Sequence, residues 1–234
     1  MIIGGLQKTS LVDWPGNICS TVFIAGCNFR CPFCHNPELV LPSEIEKIEA
    51  MTETELLTEL VSRKKVIDGV CVTGGEPLMS PDIVKLLHKI KDKGLAVKVD
   101  TNGTVPSLLQ KLISDGLVDY VAMDIKAPKE KYSSLTGVKA NISLIEESIK
   151  ILKTSGIEYE FRTTVTKDLL SASDIKKIGE WIGPAKAYYL QHFVSSEKTL
   201  DPRMMDKKTY TPDEMKEMMA SVADKFEKSE VRGV

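Results

Sequence analysis

Residues 18–35 read ICSTVFIAGCNFRCPFCH, and in this stretch an apolar, β-branched run passes directly into a loop that carries three cysteines. The hydrophobicity of residues 18–24 is continuous, which is typical of a strand buried on both faces. Strands of that kind belong to parallel sheets that are covered by helices. The stretch therefore predicts an α/β fold with a cysteine-bearing loop at the carboxyl end of a buried parallel strand.

Five further apolar runs follow along the chain, and stretches of helical periodicity separate most of them. These runs lie at 69–72, 96–100, 118–124, 157–165 and 187–193. The predicted helices lie at 53–63, 81–93, 107–114, 142–155, 173–183 and 212–228. Because crossovers between parallel strands are right-handed, this alternation predicts an incomplete (β/α)6 TIM-like barrel with outer helices. No repeat, low-complexity tract or linker interrupts the sequence, so we expect a single domain over 1–234, with the helix at about 212–228 packed on it.

Composition excludes several classes of protein. The formal net charge is −2, and no block of lysine and arginine marks a nucleic-acid binder. No run of about 18 apolar residues predicts a membrane span, and residues 1–10 lack the basic and apolar segments of a secretory signal. We therefore expect a cytoplasmic protein that binds neither nucleic acid nor a membrane. The five cysteines are an odd number in a crowded layout, which favours metal ligands over disulfides.

Cys27, Cys31 and Cys34 form a C-x3-C-x2-C pattern in the loop after the first predicted buried strand. Structural zinc needs four ligands, usually as two separated pairs, and only His35 lies conveniently near as a fourth ligand. Iron–sulfur clusters are held by thiolates, and three protein thiolates leave one iron of a cubane open to another molecule. The residues thus favour an iron–sulfur cluster that does chemistry, with zinc as the alternative.

The cysteine loop resembles the signature of the radical S-adenosylmethionine (SAM) enzymes. That resemblance implies that Cys27, Cys31 and Cys34 are catalytic ligands of a 4Fe-4S cluster whose fourth iron chelates S-adenosylmethionine. One electron then cleaves the sulfonium and gives a 5′-deoxyadenosyl radical. Phe33 occupies the aromatic place common in this signature, where it either lies against the adenine or packs beneath the loop.

The segment 73–77, TGGEP, resembles the GGEP segment of the same family. Glycines at a strand end let backbone carbonyls approach a ligand closely, because no Cβ intervenes. By itself, such a segment is a tight turn between a strand and a helix. Beside the cysteine loop, the resemblance assigns Gly74, Gly75 and Glu76 to binding of the methionine amino group.

Charged residues end the following predicted strands. Asp100 and Lys126 match cofactor-binding positions in the branch that activates glycyl-radical enzymes, and Arg162 on the next strand matches a third; a structural salt bridge across the rim is the alternative for all three. His192 ends the sixth predicted strand, where related enzymes place a residue near the ribose or adenine, although strand alternation also allows Gln191 to face the site. Negative charge on Asp100 and Asp124 suggests a monovalent cation beside the cofactor carboxylate.

Residues 4–16, GGLQKTSLVDWPG, resemble the leader of glycyl-radical activating enzymes, in the version that activates anaerobic ribonucleoside-triphosphate reductase. The implied partners are a glycyl-radical enzyme, which supplies the substrate glycine, and reduced flavodoxin or ferredoxin, which supplies the electron. A barrel of six strands does not close, so a side opening would admit a peptide loop. Trp14 either lines that opening or fastens the leader to the barrel.

Two other functions are compatible with the same residues. One is a radical enzyme of the pyruvate formate-lyase activase type or one that acts on a small molecule. The other is an iron–sulfur electron-transfer protein, which needs no ligand pocket. Cys19 and Cys71 lie within predicted strands as small core residues, so an auxiliary cluster is not expected. Met215, Met218 and Met219 share one face of the last predicted helix and are expected in the core.

Overall fold

The computed structural model describes residues 1–195, 198–205 and 207–234. In these ranges eight strands form one sheet, and their spatial order follows their order in the sequence. The strands are β1 (Ile3–Ser10), β2 (Cys19–Ile24), β3 (Gly69–Gly74), β4 (Ala96–Thr101), β5 (Tyr120–Asp124), β6 (Glu158–Val165), β7 (Ala185–His192) and β8 (Phe226–Arg232). β1 runs antiparallel to β2, and each later strand is parallel to the one before it.

Helices connect the parallel strands. They are α1 (Pro42–Ile45), α2 (Glu53–Arg63), α3 (Ile83–Asp92), α4 (Pro106–Ser114), α5 (Tyr132–Thr136), α6 (Ile142–Thr154), α7 (Ala172–Ile182) and α8 (Pro212–Ala220). α2, α7 and α8 begin with capping boxes, in which the side chains of Thr52, Ser171 and Thr211 accept hydrogen bonds from backbone amides in the first turn. Within the described part of the chain, no helix is long and apolar enough to cross a membrane.

The six predicted strands are confirmed as β2 to β7, and the α/β class is confirmed. The prediction missed one strand at each edge of the sheet. The predicted helix over 212–228 was wrong in its second half, because α8 ends at Ala220 and residues Phe226–Arg232 pair with β7 as β8. The three methionines of α8 lie in the core as expected.

The sheet is curled, because side chains on strands two apart meet on one face. Arg162 of β6 contacts Asp100 of β4 at 3.2 Å, and Arg232 of β8 contacts Glu160 of β6 at 2.8 Å. Among the described residues, β1 and β8 do not pair with each other. The sheet is therefore a partial TIM-like barrel with an open side.

Trp14 closes the amino-terminal end of the barrel. Its buried ring lies 6.2 Å from that of Tyr120, and a Cβ on Gly69 would come within 2.7 Å of it. Tyr120 and Gly69 are the first residues of β5 and β3. Trp14 thus fastens the leader to the end of the barrel opposite the cysteine loop.

Candidate active site

The three signature cysteines follow β2 and line one cavity at the carboxyl ends of the strands. The empty volume of that cavity, its open mouth included, is about 620 Å³. Phe33, Gly74, Gly75, Asp100 and Lys126 line the same cavity. The structure therefore brings together most of the side chains that the sequence analysis assigned to the site.

Hydrogen bonds from several segments hold the cysteine loop in place. Arg30 donates from its backbone amide to Thr136 O at 2.7 Å and from Nη1 to Cys27 O at 2.8 Å. In the connection after β7, the amides of Leu200 and Asp201 donate to the carbonyls of Cys34 and Pro32 at 2.8 and 3.0 Å. The loop is thus fixed by contacts from both halves of the chain.

His35 has the loop-fixing position rather than a place among the thiols. Its ring stacks on Phe193, with centroids 5.1 Å apart, and its Nε2 donates to Val194 O at 3.0 Å. Among the described residues, no three His, Cys, Asp or Glu side chains converge on a position for a single metal ion. The position of His35 disfavours the zinc alternative, in which this ring is the fourth ligand.

The residues present fit a cluster held by three thiolates. All three cysteines are free thiols that face one cavity. Burial raises the pKa of the Cys27 thiol, and it raises the pKa of Cys31 to about 12. Such thiols stay protonated until a metal replaces the proton, which is the usual behaviour of metal-coordinating cysteines.

Gly74 and Gly75 allow the end of β3 to lie in close contact with the backbone that leads into the cysteine loop. Gly74 has φ = +125°, and a side chain on Gly74 or Gly75 would collide with the backbone of Ile24 or Gly26. The amide of Gly75 donates to Ile24 O at 2.9 Å. Only glycine is compatible with both positions, and the result is a wall of bare backbone beside the three thiols.

The structure does not bring the Glu76 side chain into the cavity. Its carboxylate is buried and accepts hydrogen bonds from the amide of Asn102 at 2.6 Å, the hydroxyl of Thr101 at 2.8 Å and the amide of Leu78 at 3.1 Å. Thr101 and Asn102 both line the cavity. Glu76 therefore ties the β3 end to the β4 end, a positioning role that the sequence pattern did not reveal.

A chain of alternating charges includes three residues that line the cavity, Asp100, Asp124 and Lys126. Arg162 donates from Nε to Asp124 at 2.9 Å and from Nη1 to Asp100 at 3.2 Å. Lys126 contacts Asp124 at 2.8 Å, and the fully buried Lys98 contacts Asp100. The two carboxylates thus alternate with three cations.

These contacts set the protonation of the site. Burial by itself would raise the pKa of Asp124, but the charges of Arg162 and Lys126 outweigh it and hold that pKa well below its usual range. Arg162 and Lys98 likewise outweigh burial and lower the pKa of Asp100. The monovalent cation was expected because Asp100 and Asp124 are negatively charged. Basic side chains already balance both charges, so the structure does not support a cation there.

His192 lies outside the cavity. Its Nε2 donates to Tyr210 O at 2.7 Å, and its side chain lines a separate shallow groove with Lys167, Lys207 and Lys208. The sequence analysis did not identify Lys98 and Glu160 as part of the charged cluster, although both are fully buried. Their signal was the alternation of charged and apolar residues in Val97-Lys98-Val99-Asp100 and Glu158-Tyr159-Glu160-Phe161-Arg162, which indicates a polar inner face of the barrel.

One known protein family matches most of this chain. The family described as the radical SAM superfamily matches residues 21–182, a range that contains the cysteine loop, Gly74, Gly75, Asp100, Lys126 and Arg162. The chain belongs to the radical SAM superfamily. It is accordingly a radical SAM enzyme, and the family implies a 4Fe-4S cluster and S-adenosylmethionine as cofactors.

Two curated relatives match most of the chain. The Methanocaldococcus jannaschii protein MJ1227, named as a glycyl-radical enzyme activating enzyme, is 31% identical over 82% of this chain and 80% of its own length. The pyruvate formate-lyase-activating enzyme of Clostridium pasteurianum is 29% identical over 77% of this chain and 75% of its own.

Among solved structures, SuiB of Streptococcus suis has a TM-score of 0.67 over 89% of this chain and 47% of SuiB, at 17% identity. This chain spans about half the length of SuiB. The likeness shows a common fold.

Proposed function

We propose that this radical SAM enzyme activates a glycyl-radical enzyme by abstracting hydrogen from one glycine of that protein, and that the partner is anaerobic ribonucleoside-triphosphate reductase. The observation that supports it most is that Cys27, Cys31 and Cys34 share one cavity with Gly74–Gly75, Asp100 and Lys126. Relatives named as glycyl-radical and pyruvate formate-lyase activating enzymes support the class of reaction. The resemblance of residues 4–16 favours the reductase over pyruvate formate-lyase.

The three cysteines would hold the cluster, and the ring of His35 is turned away from them to stack on Phe193. When bound, the cluster and S-adenosylmethionine together supply a 5′-deoxyadenosyl radical. The bare backbone at Gly74 and Gly75 lets the methionine end of the cofactor approach closely. Lys126 offers a cation for its carboxylate, Asp100 offers an acceptor for an ammonium or hydroxyl group, and Phe33 offers a ring for the adenine.

Arg162 would act as a positioning residue, because its guanidinium holds Asp100 and Asp124 in place without lining the cavity itself. His192 receives no cofactor role, since its side chain is directed to Tyr210. Glu76 would contribute only by fixing the strand ends.

A glycine of a protein suits this site. The barrel is open between β1 and β8 in the described chain, and an extended peptide loop would reach the cavity through this open side. Glycine has no side chain to obstruct that path, and its α-radical is delocalised over the adjacent amides. The residues that line the cavity and the edge strands β1 and β8 belong to one domain over 1–234, which is also part of this proposal. Reduced flavodoxin or ferredoxin is the proposed electron donor.

Anaerobic reconstitution with iron and sulfide, followed by dithionite reduction and electron paramagnetic resonance with and without S-adenosylmethionine, tests the first step. A reduced-cluster signal that shifts on addition of the cofactor, together with 5′-deoxyadenosine, is expected. A cluster whose signal ignores the cofactor would indicate an electron carrier and contradict the proposal.

The second step is tested by incubating the reduced enzyme with anaerobic ribonucleoside-triphosphate reductase or, in parallel, with pyruvate formate-lyase. A glycyl-radical signal on the reductase supports the proposed partner. A signal only on pyruvate formate-lyase keeps the reaction and replaces the partner. Cofactor cleavage with neither protein as substrate would favour a small-molecule radical enzyme.

A further inference from the structure

A second groove lies on the outer side of the cysteine loop, next to the edge of the sheet. It lies where β2 and the turn after β3 meet α1, and its lining includes Ile2, Val40, Pro42, Ile45 and Met79. Met79 and Ile2 are 49% and 39% exposed. Clustered exposed apolar side chains of this kind mark interaction surfaces, and methionine adapts to the shape of a partner. We call this surface the Met79 groove.

The Met79 groove shares a wall with the active-site cavity. Cys27 and Val40 line both the groove and the cavity. A cluster held by Cys27 would therefore be bound to a residue that also lines the groove. Because electron-transfer rates fall steeply with distance, the Met79 groove is a short route from a protein surface to the cluster.

The charge at the Met79 groove is positive. Arg30 lines it and donates from Nη1 to the carbonyls of Cys27 and Phe29, at 2.8 and 2.7 Å. Within the described ranges, Arg30 has no carboxylate partner, and no lining residue of the groove is acidic. The neighbouring Asp82 is paired with the amino group of Met1, which itself lines the groove, at 3.6 Å, so this pair leaves the charge of Arg30 unbalanced. An apolar surface with an unpaired cation complements a partner with an apolar contact patch and an acidic rim.

We propose that the Met79 groove is the docking surface of the electron donor, an acidic protein that carries a one-electron redox cofactor near its surface. This inference rests on the proposed function, which requires such a donor. In the docked pair, the donor's cofactor is oxidised by one electron and the cluster is reduced by one. A small groove suits this partner, because electron-transfer encounters use small and transient interfaces.

Met79→Glu tests the docking surface, since a carboxylate placed in the Met79 groove repels an acidic donor. Val66→Glu is the matched control, because Val66 is an apolar side chain with 60% exposure just before β3, at the opposite end of the strands. The probe is flavodoxin, and its binding to the cluster-free protein is followed by flavin fluorescence at low and high ionic strength. Cluster-loaded proteins are then reduced with photoreduced flavodoxin or, separately, with dithionite.

The unmodified protein is expected to bind flavodoxin more weakly at high salt. Met79→Glu should weaken the binding by about tenfold or more and slow cluster reduction by flavodoxin, and Val66→Glu should leave both unchanged. Reduction by dithionite should proceed equally in all three proteins, because it needs no docking.

Two results would overturn the docking surface: Met79→Glu binding flavodoxin as tightly as the unmodified chain, or Val66→Glu weakening the binding equally. Failure of the proposed function is a different result. In that case dithionite-reduced, unmodified protein would form no 5′-deoxyadenosine, whatever the binding data show.

Discussion

Arg162 donates a hydrogen bond of 2.9 Å from Nε to Oδ1 of Asp124. The same guanidinium reaches Asp100 at 3.2 Å, so one residue of β6 braces the ends of β4 and β5. Both carboxylates line the cavity, and neither has another arginine as a partner within the described chain. The shape of the cofactor site therefore depends on a side chain that does not itself line the cavity.

Arg162→Lys should weaken S-adenosylmethionine binding by about tenfold or more, because a lysine ammonium cannot bridge two carboxylates as the planar guanidinium does. Calorimetric titration of the cluster-loaded protein with the cofactor measures the effect. Arg203→Lys is the control, since Arg203 pairs with Asp201 on the surface and its replacement should not change the affinity. Unchanged affinity in Arg162→Lys would contradict the positioning role.

Cys31→Ala should abolish cluster binding and cofactor cleavage while the fold is largely retained, because the change removes only one buried sulfur atom from the core. Iron and sulfide content per chain and the yield of 5′-deoxyadenosine measure the outcome. Cys19→Ala removes an equally buried thiol far from the cavity and should leave both quantities as they are. An unchanged yield of 5′-deoxyadenosine in Cys31→Ala would show that cofactor cleavage does not depend on a cluster held by Cys31.

The sequence was sufficient for the parts of the fold and site that have local causes. Continuous apolar runs located β2 to β7, and the loops after β2 and β3 carried recognisable spacing. Because parallel strands bring their carboxyl ends to one rim, Asp100 and Lys126 were expected beside the cysteines, and both line the cavity.

The edge strands depend on tertiary pairing that local sequence does not encode. β1 contains Gly4 and Gly5, which disfavour a strand, and its partner is β2. β8 reads FEKSEVR, whose glutamates and lysine favour a helix, and its pairing with β7 overrides that propensity. Similarly, local sequence does not predict that Arg162 bridges two carboxylates or that His192 is directed to Tyr210, because these contacts join residues that are distant in the sequence.

Trp14→Ala should lower the free energy of unfolding by about 3–5 kcal/mol, because it removes a buried indole from the amino-terminal end of the barrel. Cofactor affinity should not change, since the site lies at the other end. Urea unfolding and cofactor titration together make the measurement, and Trp14→Phe should lose much less stability. Reduced activation of the partner with unchanged stability would instead indicate that Trp14 contributes to the interaction with the partner protein.

Glu76 should make the protein less stable as the pH rises. Burial raises the pKa of Glu76 from 4.5 to about 7, although the amide of Asn102 and the hydroxyl of Thr101 oppose that rise. Since the pKa is higher in the folded state than in the unfolded chain, the folded protein retains a proton between these two values that the unfolded chain has lost. Stability therefore falls as the pH increases from about 4.5 to about 7, by at most about 3 kcal/mol from this group.

Glu76→Gln removes that titration, so urea unfolding at pH 5 and pH 8 should show a smaller loss of stability on going to the higher pH than in the unmodified chain. The variant is expected to be less stable at both pH values. In the unmodified chain, backbone N–H groups donate hydrogen bonds to both carboxylate oxygens, and in the variant the amide NH2 replaces one of these acceptors and leaves a buried donor unpaired. The informative quantity is therefore the difference between the two pH values. Glu227→Gln, which alters an exposed residue of β8, should reproduce the difference of the unmodified chain. An equal difference in Glu76→Gln would show that Glu76 is already ionised in the folded protein at pH 5, with its three hydrogen bonds outweighing burial.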